Sequence, residues 1–389
     1  MTTAVSVETV RELEPLIRRH AGSAEANARM APEVMSALVD AGLFRMWIPK
    51  DFGGLEMEPN ASLDVMEALA RIDASTGWVV SNSTFGSVVS QFLPPPVPEE
   101  LLADPGALVC GSFIPPGTAK ATAHGYMLNG DWAFGSGAHY ATSLLALNLL
   151  SDDNGIALHD DGTPVMLIAF IDPKQVTLLD TWHTLGLRAT GSTNYTVDNL
   201  EVAADHCFLL GPWESKEGPF AAPLYRMGLA VDPMRMGRVA VGIAQGALDD
   251  FVELATVNTP AYTARVTADR EGVQERVGRA HALVQAARNN LRTAVADAWE
   301  AVQHGPRITG QSGIPLALAS VFALDASVQA VGLLYESGGS TAFRDESPLQ
   351  RRFRDLQTLR QNAFISWSRY ESVGKMILDR PTDWPFYQL

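Results

Sequence analysis

One segment whose residues are well suited to chemistry has aromatic and small polar side chains at alternate positions. Trp132, Phe134 and Ser136 occupy every second position within Tyr126–Gly137. On a β-strand this spacing predicts that the three side chains share one face. Such a face can place apolar surface against a planar ring and offer one hydroxyl to a ring heteroatom, or it can be an ordinary β core.

A second segment, Asp180–Ser192, places three polar side chains in a glycine-containing loop. Arg188, Thr190 and Ser192 alternate there with Ala189 and Gly191. A loop of this composition can hold a phosphate or a carbonyl group through charge-assisted and backbone hydrogen bonds. It can also be a simple polar turn, and the residues alone leave both alternatives open.

Familiar catalytic and metal-binding motifs are absent from the sequence. It contains no P-loop, no GxGxxG, no HExxH and no GxSxG. The 8 histidines include no pair three or four residues apart, so we predict no metal site. The two cysteines, Cys110 and Cys207, are too few for a disulfide framework.

Charge and composition limit the class of partner. The chain of 389 residues has 29 basic and 44 acidic side chains, a net charge of −15, and no basic run. Nucleic acids and anionic membranes are bound by clustered Lys and Arg, so we expect neither as a partner. Only 19 % of residues are charged against 47 % hydrophobic, which predicts a large core and surface buried between subunits.

The positions of apolar residues predict three regions and an α+β fold. Helical spacing over 33–43 and 64–72, closed by prolines 94–96, predicts an N-terminal helical domain over residues 1–105. The short apolar run 165–171 and a hairpin-type Asn129-Gly130 turn predict a central β-sheet domain over 106–212.

The last third predicts a four-helix bundle domain over residues 213–389. An apolar stripe with steps of three and four residues runs from Val273 to Val302. Ser347, Pro348 and Gln350 form a capping-box pattern that opens a helix toward Leu378. Two further helices are predicted over 234–257 and 314–336.

We expect a cytoplasmic protein. The N-terminal residues lack the basic and apolar regions of a secretory signal. Residues 313–335 are long enough to cross a membrane, but Asp325, Gln329 and many small residues are typical of a buried bundle helix.

Five blocks of the sequence resemble the acyl-CoA dehydrogenase superfamily. They are Ile48–Glu56, Tyr126–Gly137, Asp180–Ser192, Ser337–Phe343 and Ser347–Gln357. The likeness extends in register over nearly the whole chain and is greatest to the two-component (group D) flavin-dependent monooxygenase branch. The family's acyl-CoA dehydrogenase-like fold, with an N-terminal helical domain, a central β domain and a C-terminal four-helix bundle, agrees with the pattern above.

The resemblance implies a flavin site and assigns residues to it. It places five residues around the isoalloxazine ring: Phe113, Ile114, Trp132, Phe134 and Ser136. Ser136 matches a hydroxyl near flavin N5, and Arg188, Thr190 and Ser192 fall in a loop near the ring and the substrate.

Gly338 and Gly339 match a turn that approaches the cofactor of a neighbouring subunit in dehydrogenase relatives. A residue without Cβ lets backbone N–H groups approach a phosphate closely. The same two glycines could instead end a helix after Glu336, and both roles can hold together.

The resemblance also implies the reaction and its partners. We predict a monooxygenase that uses O₂ and reduced FMN or FAD, supplied by a separate flavin reductase, to oxygenate a small aromatic or heteroatom-containing substrate. The small charged fraction of 19 % separately predicts a homotetramer.

The sequence departs from phenol-hydroxylating relatives, which use histidines to deprotonate the substrate. Asn362 follows Gln361 where their motif has Gln-His, and residues 78–85 contain no histidine. Asparagine cannot act as a general base at neutral pH. Either the substrate needs no such base, as with an amine or sulfur centre, or another residue such as His139 or His183 supplies it. Either histidine could also be structural.

Two alternatives remain open at this stage. An acyl-CoA dehydrogenase needs a carboxylate base, and Asp232 lies close to the position of a relocated base in some relatives. Asp232-Pro233 could equally be a helix N-cap followed by proline at the first helical position. The glutamate motif that usually supplies the family's base, of the type Tyr-Glu-Gly-Thr, is absent from the last helix region. Its absence and that of the histidines also allow a catalytically silent flavin-binding paralogue.

Overall fold

The N-terminal part of the chain is helical, as predicted. A computed structural model of the protein describes residues 5–211, 217–382, 384 and 386. Asp73 caps the fourth helix, since its carboxylate accepts the Thr76 N–H at 2.8 Å. The helices of this part are α1 (Val7–Ala26), α2 (Pro32–Asp40), α3 (Pro59–Ile72), α4 (Ala74–Val89) and α5 (Val97–Leu102).

A mixed β-sheet follows, built from β1 (Val109–Ala121), β2 (Gly125–Gly135), β3 (Ser143–Asp152), β4 (Gly155–Ile156), β5 (Met166–Ile171), β6 (Thr177–Leu179), β7 (Thr193–Ala203) and β8 (Cys207–Leu209). The strand order is β6-β7-β2-β1-β3-β5-β8, with β4 beside β3. β1 and β3 are parallel and the other pairs antiparallel. The strand predicted over 165–171 is confirmed as β5.

The hairpin turn predicted at Asn129-Gly130 is wrong. β2 continues through these residues, and the turn lies earlier, because Ala121 pairs with Tyr126. The pairing of β2 with β7 shifts between Leu128 and Gly130, so the glycine marks a bulge. A Cβ on Gly130 would lie 2.6 Å from the Gly117 Cα, which explains the glycine by close packing rather than by a turn.

The C-terminal helices are α6 (Pro223–Arg226), α7 (Val231–Val257), α8 (Glu271–His304), α9 (Ile314–Ser337), α10 (Gly339–Ala342), α11 (Pro348–Leu359) and α12 (Ser368–Ile377). α7, α8, α9 and α11 pack together as the predicted bundle. The stripe from Val273 to Val302 is confirmed, since Leu291, Val295 and Val302 are fully buried.

The single helix predicted from Pro348 toward Leu378 is wrong, because the chain leaves helical geometry between α11 and α12. Asn362 lies in this break, and its Oδ1 accepts the backbone N–H of Phe364 at 2.9 Å. Asparagine competes with helical hydrogen bonding in this way. Pro348 opens α11 as predicted, but in the described structure Ser347 makes no capping bond through its side chain.

One described segment, Gly310–Ser337, is long and apolar enough to cross a membrane by length and composition alone. It contains α9, and 67 % of its most apolar window is buried inside the protein. α9 contacts both α7 and α8, so the bundle accounts for its apolar composition. The predicted domain boundaries stay predictions, and the one at 212/213 falls outside the described residues.

Candidate active site

A cavity of about 340 Å³ lies where α4, the sheet, the loop 182–192, the start of α7 and the break after α11 meet. Its size falls within the range of roughly 300–1,000 Å³ that is usual for ligand and cofactor pockets. Its wall is rich in aromatic rings, namely Trp78, Phe85, Phe113, Phe134, Trp182 and Phe364. The wall also carries a few polar groups, which are described next.

A continuous chain of hydrogen bonds joins Ser136 to the loop that follows β6. Trp78 Nε1 donates to Ser136 Oγ at 2.9 Å, and Ser136 Oγ lies 2.6 Å from Ser192 Oγ. Ser192 Oγ lies 2.6 Å from Thr190 Oγ1, which donates to the Leu187 carbonyl at 2.7 Å. The prediction that Ser136, Thr190 and Ser192 belong to one site therefore has a geometric basis.

The groups at the two ends of this series of hydrogen bonds determine which atom donates in each of them. An indole N–H can only donate and a carbonyl can only accept. Because Thr190 donates to Leu187, Ser192 must donate to Thr190, and Ser136 must donate to Ser192. The Ser136 hydroxyl thus receives one hydrogen bond and gives one, and the lone pair that remains offers the cavity an acceptor.

Helix α11 holds the loop that carries Thr190 and Ser192. Asp355 Oδ1 accepts the Leu187 N–H at 2.6 Å, and Thr358 Oγ1 accepts the Gly186 N–H at 2.9 Å. A Cβ on Gly186 would lie 2.3 Å from the Arg354 carbonyl, so only glycine allows this approach. Burial raises the pKa of Asp355 to about 7.

Trp132 does not lie on the same face as Phe134 and Ser136, so the alternation expected from the sequence is wrong here. The pairing of β2 with β7 shifts between Trp132 and Gly135, and Phe134 has a left-handed φ of 68°. This bulge turns Trp132 into the sheet interior, where its Nε1 donates to the Leu147 carbonyl at 2.7 Å. Phe134 and Ser136 line the cavity.

An ion pair at the start of α7 forms another part of the cavity wall. Arg235 Nε donates to Asp232 Oδ1 at 2.9 Å, and its Nη2 donates to the same oxygen. Both residues are only 2 % exposed. Burial raises the pKa of the Asp232 carboxyl and lowers the pKa of Arg235, and each effect is opposed by the partner's charge.

Asp232 is not the N-cap of α7, so that interpretation is wrong. The helix begins at Val231 with Ala230 as its N-cap, because the preceding 3₁₀ turn continues directly into it. Arg235 was missed by sequence reasoning. An arginine three residues after an aspartate, among the apolar residues of a buried helix, is a signal that could have revealed it.

The two histidines considered as bases lie outside the described cavity. His139 is half-buried near Arg29, with His139 Nε2 3.5 Å from Arg29 Nη2, and burial followed by the Arg29 charge lowers its pKa. His183 is exposed, 3.8 Å from Asp180. Arg188 is exposed too, and its Nε donates to the Thr184 carbonyl at 2.7 Å. Their proposed roles stay predictions.

The remaining predicted residues divide between cavity and surface. Phe113, Ile114 and Asn362 line the cavity. Gly338 and Gly339 lie at the end of α9, where Gly339 has a φ of 55° and open space around it. This geometry agrees with a helix terminus, and the role toward a neighbouring subunit's cofactor stays a prediction. Within the described residues, no group of three His, Cys, Asp or Glu could hold a metal ion.

Comparison with protein families defines the class of the chain. A model of the acyl-CoA dehydrogenase N-terminal domain matches residues 5–95, and one of the acyl-CoA dehydrogenase C-terminal domain matches residues 234–367. Together the two segments cover more than half of the sequence. The chain belongs to the acyl-CoA dehydrogenase superfamily.

Within this superfamily the chain is similar to flavin-dependent monooxygenases. The indole-3-acetate monooxygenase of Pseudomonas putida is 28 % identical, over 93 % of this chain and 91 % of its own. The oxygenase component of the FADH(2)-dependent resorcinol hydroxylase of Rhizobium sp. is 29 % identical, over 95 % and 92 %.

A solved structure confirms the fold. The crystal structure of 3-HSA hydroxylase from Rhodococcus sp. RHA1 has a TM-score of 0.89 with 24 % identity, and the match covers 98 % of this chain and 99 % of that one. The predicted family, fold class and oxidoreductase class are therefore confirmed.

Proposed function

We propose that the protein is the oxygenase component of a two-component flavin-dependent monooxygenase. The cavity carries this proposal, because it combines aromatic walls with a hydroxyl acceptor at Ser136. A reduced flavin supplies the electrons with which such an enzyme activates O₂. The named relatives support the same activity.

The described residues fit the ring system of a reduced flavin. Phe113, Ile114 and Phe134 give apolar surface for a planar ring, and the cavity has the volume that such a ring needs. The free lone pair of Ser136 would accept a hydrogen bond from a ring N–H. Ser192 holds Ser136 in that state, because it accepts a hydrogen bond from the Ser136 O–H and itself donates to Thr190.

The apolar wall has a second function in this proposal. Aromatic side chains around the ring exclude water from the place where oxygen reacts, which prevents loss of the activated oxygen as hydrogen peroxide. Phe85 and Phe113 contact each other with ring centroids 5.6 Å apart, and Phe113 also contacts Phe364 at 6.3 Å. These rings close the part of the cavity between α4, β1 and the break after α11.

The partners follow from the same reaction. We propose that a separate flavin reductase delivers reduced FMN or FAD, that the substrate is a small aromatic or heteroatom-containing molecule, and that the chain acts as a homotetramer in the cytoplasm. The term oxygenase component in the name of the resorcinol hydroxylase supports a reductase partner. The small charged fraction, 19 %, supports subunit contacts.

Anaerobic titration with flavins tests the proposal. We expect reduced FMN or FAD to bind more tightly than the oxidised form, because Ser136 offers an acceptor to the reduced ring's N–H and no donor to the oxidised ring. Protein that binds neither redox state of either flavin would contradict the proposal. Reduction of protein-bound flavin by an acyl-CoA, without a reductase, would instead establish a dehydrogenase.

A further inference from the structure

Two asparagines line the cavity, Asn82 on α4 and Asn362 in the break after α11. In each of them the carboxamide oxygen is bound by a group of the protein that can only donate. Asn82 Oδ1 accepts from Arg235 Nη2 at 2.8 Å, and Asn362 Oδ1 accepts the backbone N–H of Phe364 at 2.9 Å. Because a guanidinium and a backbone N–H have no acceptor to offer, these partners determine which end of each carboxamide is the oxygen.

The nitrogen of each carboxamide is left for a ligand. Both residues are half-buried, and within the described part of the chain Nδ2 of Asn82 and Nδ2 of Asn362 make no hydrogen bond. Thr184 and Thr358, which also line the cavity, instead donate their hydroxyl protons to backbone carbonyls at 2.9 and 3.0 Å. A carboxamide nitrogen carries two N–H groups, so the two asparagines together give the wall a set of neutral donors.

The charges of the wall favour a neutral ligand oxygen over an anionic one. Among the described lining residues, Asp232 and Arg235 carry the formal charges, and they form an ion pair with each other. Arg235 also donates to Asn82, and its Nη1 donates to Ser81 Oγ at 3.3 Å. A buried anion without an opposite charge is costly, whereas a buried carbonyl oxygen needs only hydrogen-bond donors, which the two carboxamides provide.

We propose that Asn82 and Asn362 determine specificity by donating hydrogen bonds from Nδ2 to a neutral carbonyl oxygen of the substrate. The inference rests on the proposed monooxygenase function and names its substrate class as small aryl ketones and aldehydes, whose ring suits the aromatic wall. A carbonyl oxygen has two lone pairs, so it can accept both hydrogen bonds. Asn362 thus acts as a donor, and the substrate is bound without losing a proton.

A pair of probes of nearly equal shape tests this role without turnover. Acetophenone carries the carbonyl, and α-methylstyrene has a methylene group in place of the oxygen. Their affinities are measured with reduced flavin bound under anaerobic conditions. A cavity without donors would favour the hydrocarbon, because the carbonyl loses its hydrogen bonds to water. We expect the two probes to bind within about five-fold of each other, because the carboxamides replace those hydrogen bonds.

The carbonyl stretch of bound acetophenone gives a direct signature of these hydrogen bonds. A donor at the carbonyl oxygen weakens the C=O bond and lowers its stretching frequency. An infrared difference spectrum between acetophenone with and without carbon-13 at the carbonyl separates this band from those of the protein. We expect the band of the bound probe to lie below its frequency in hexane, and a band at the hexane frequency overturns the inference.

Aspartate at either position removes the donors and keeps the oxygen that the protein binds. Asn82→Asp can still accept from Arg235, and Asn362→Asp can still accept the Phe364 N–H. Each substitution should shift the ratio of the two affinities toward α-methylstyrene by about 5- to 100-fold, as for a carbonyl left without a donor. Each should also raise the carbonyl frequency of bound acetophenone.

Another asparagine provides the matched control. Asn129 Oδ1 also accepts a backbone N–H, that of Asn199 at 2.8 Å, and Asn129 does not line the described cavity. Asn129→Asp makes the same chemical change outside the proposed site. It should leave both the affinity ratio and the carbonyl frequency as they are in the unaltered protein.

The outcomes distinguish this inference from the proposed function. An unchanged affinity ratio in either aspartate variant overturns the shared role of the two asparagines, and weaker binding of reduced flavin in the same variant would assign its carboxamide to the cofactor. Tighter binding of benzoate than of acetophenone overturns the inference too, and would assign an anionic substrate. Absence of probe binding to protein that holds reduced flavin also overturns it. Failure of the unaltered protein to bind reduced flavin contradicts the proposed function itself.

Discussion

Trp78 and Ser136 are joined by a hydrogen bond in which the indole Nε1 donates to the serine Oγ at 2.9 Å. The same indole ring faces the Arg235 guanidinium at 5.4 Å. Trp78 of α4 therefore connects the hydrogen-bonded hydroxyls of Ser136, Ser192 and Thr190 with the ion pair between Asp232 and Arg235 on α7.

Replacement of Ser136 by alanine should uncouple oxygen use from product formation. The Trp78 N–H loses its acceptor, and the cavity loses the acceptor proposed for a reduced flavin. We expect the free energy of unfolding to fall by about 1–3 kcal/mol and the affinity for reduced flavin to fall about five-fold. Urea unfolding, anaerobic titration and the yield of hydrogen peroxide measure these effects.

A serine on the same helix as Trp78 provides the control for that substitution. Ser83 is fully buried, its Oγ has no hydrogen-bond partner within the described residues, and it does not line the described cavity. Ser83→Ala should leave the free energy of unfolding, and the coupling of oxygen use to product formation, unchanged or slightly improved. Unchanged coupling in Ser136→Ala would remove Ser136 from the flavin site.

Trp78→Phe tests whether the indole N–H orients Ser136. The phenyl ring keeps apolar surface near Arg235 but cannot donate to Ser136 Oγ. We expect a loss of about 1 kcal/mol in the free energy of unfolding and a similar coupling energy with Ser136→Ala in a double-mutant cycle. Strictly additive effects would show that the two side chains act independently.

The buried carboxyl of Asp355 predicts a pH dependence of stability. Its pKa of about 7 in the folded protein lies above the ordinary aspartate pKa of 3.8, so between these values the folded chain holds a proton that the unfolded chain releases. The free energy of unfolding should therefore decrease as pH rises through this window, by up to about 1.4 kcal/mol per pH unit, and level off above it. The groups around this carboxyl are Leu187 N–H, Asp73, Arg354 and Glu25.

Asp355→Asn removes this titration and keeps an oxygen that can accept the Leu187 N–H. The variant should gain stability relative to the unaltered protein as pH rises from about 4 to about 7. Urea unfolding at several pH values measures the difference. The exposed residue Asp345 provides the control, since Asp345→Asn should show the same pH dependence of stability as the unaltered protein. If stability changed with pH in the same way in all three proteins, the titration could not be assigned to Asp355.

Gly186→Ala tests the contact between α11 and the loop that carries Ser192. The added Cβ would lie 2.3 Å from the Arg354 carbonyl, so the backbone must move. We expect a loss of about 1–3 kcal/mol in the free energy of unfolding, together with weaker flavin binding. Gly278→Ala on α8 has open space around it and should stabilise the protein by about 0.5–1 kcal/mol. Equal effects of the two substitutions would contradict the packing argument.

The helices and the order of the domains could be predicted because they depend on periodicity. The stripe from Val273 to Val302 extends over the length of α8, and a long repeat of this kind has few alternative interpretations. The break at Asn362 could not be predicted, since one side-chain hydrogen bond to Phe364 N decides it. The turn expected at Asn129-Gly130 failed for a related reason, because packing against Gly117 requires the glycine.

The candidate site was predicted in part. The family resemblance brought Ser136, Thr190 and Ser192 together, and the structure places them in one hydrogen-bonded chain. Trp132 was expected beside them. A bulge between Trp132 and Gly135 interrupts the alternation of side chains along β2, and the local sequence does not specify where that bulge lies. Arg235 was missed although its spacing from Asp232 was a local signal, and its contacts with Asn82 and Ser81 could not be predicted because these residues are distant in sequence.

Mass spectrometry of the product formed under isotopically labelled O₂ tests the central claim most directly. The protein is supplied with reduced flavin and a set of small aromatic compounds, and the product is analysed for label. The account predicts a hydroxylated product with one labelled oxygen atom, formed only with reduced flavin and in lower yield with Ser136→Ala. Recovery of all consumed oxygen as hydrogen peroxide for every compound, or a product without label, would contradict it.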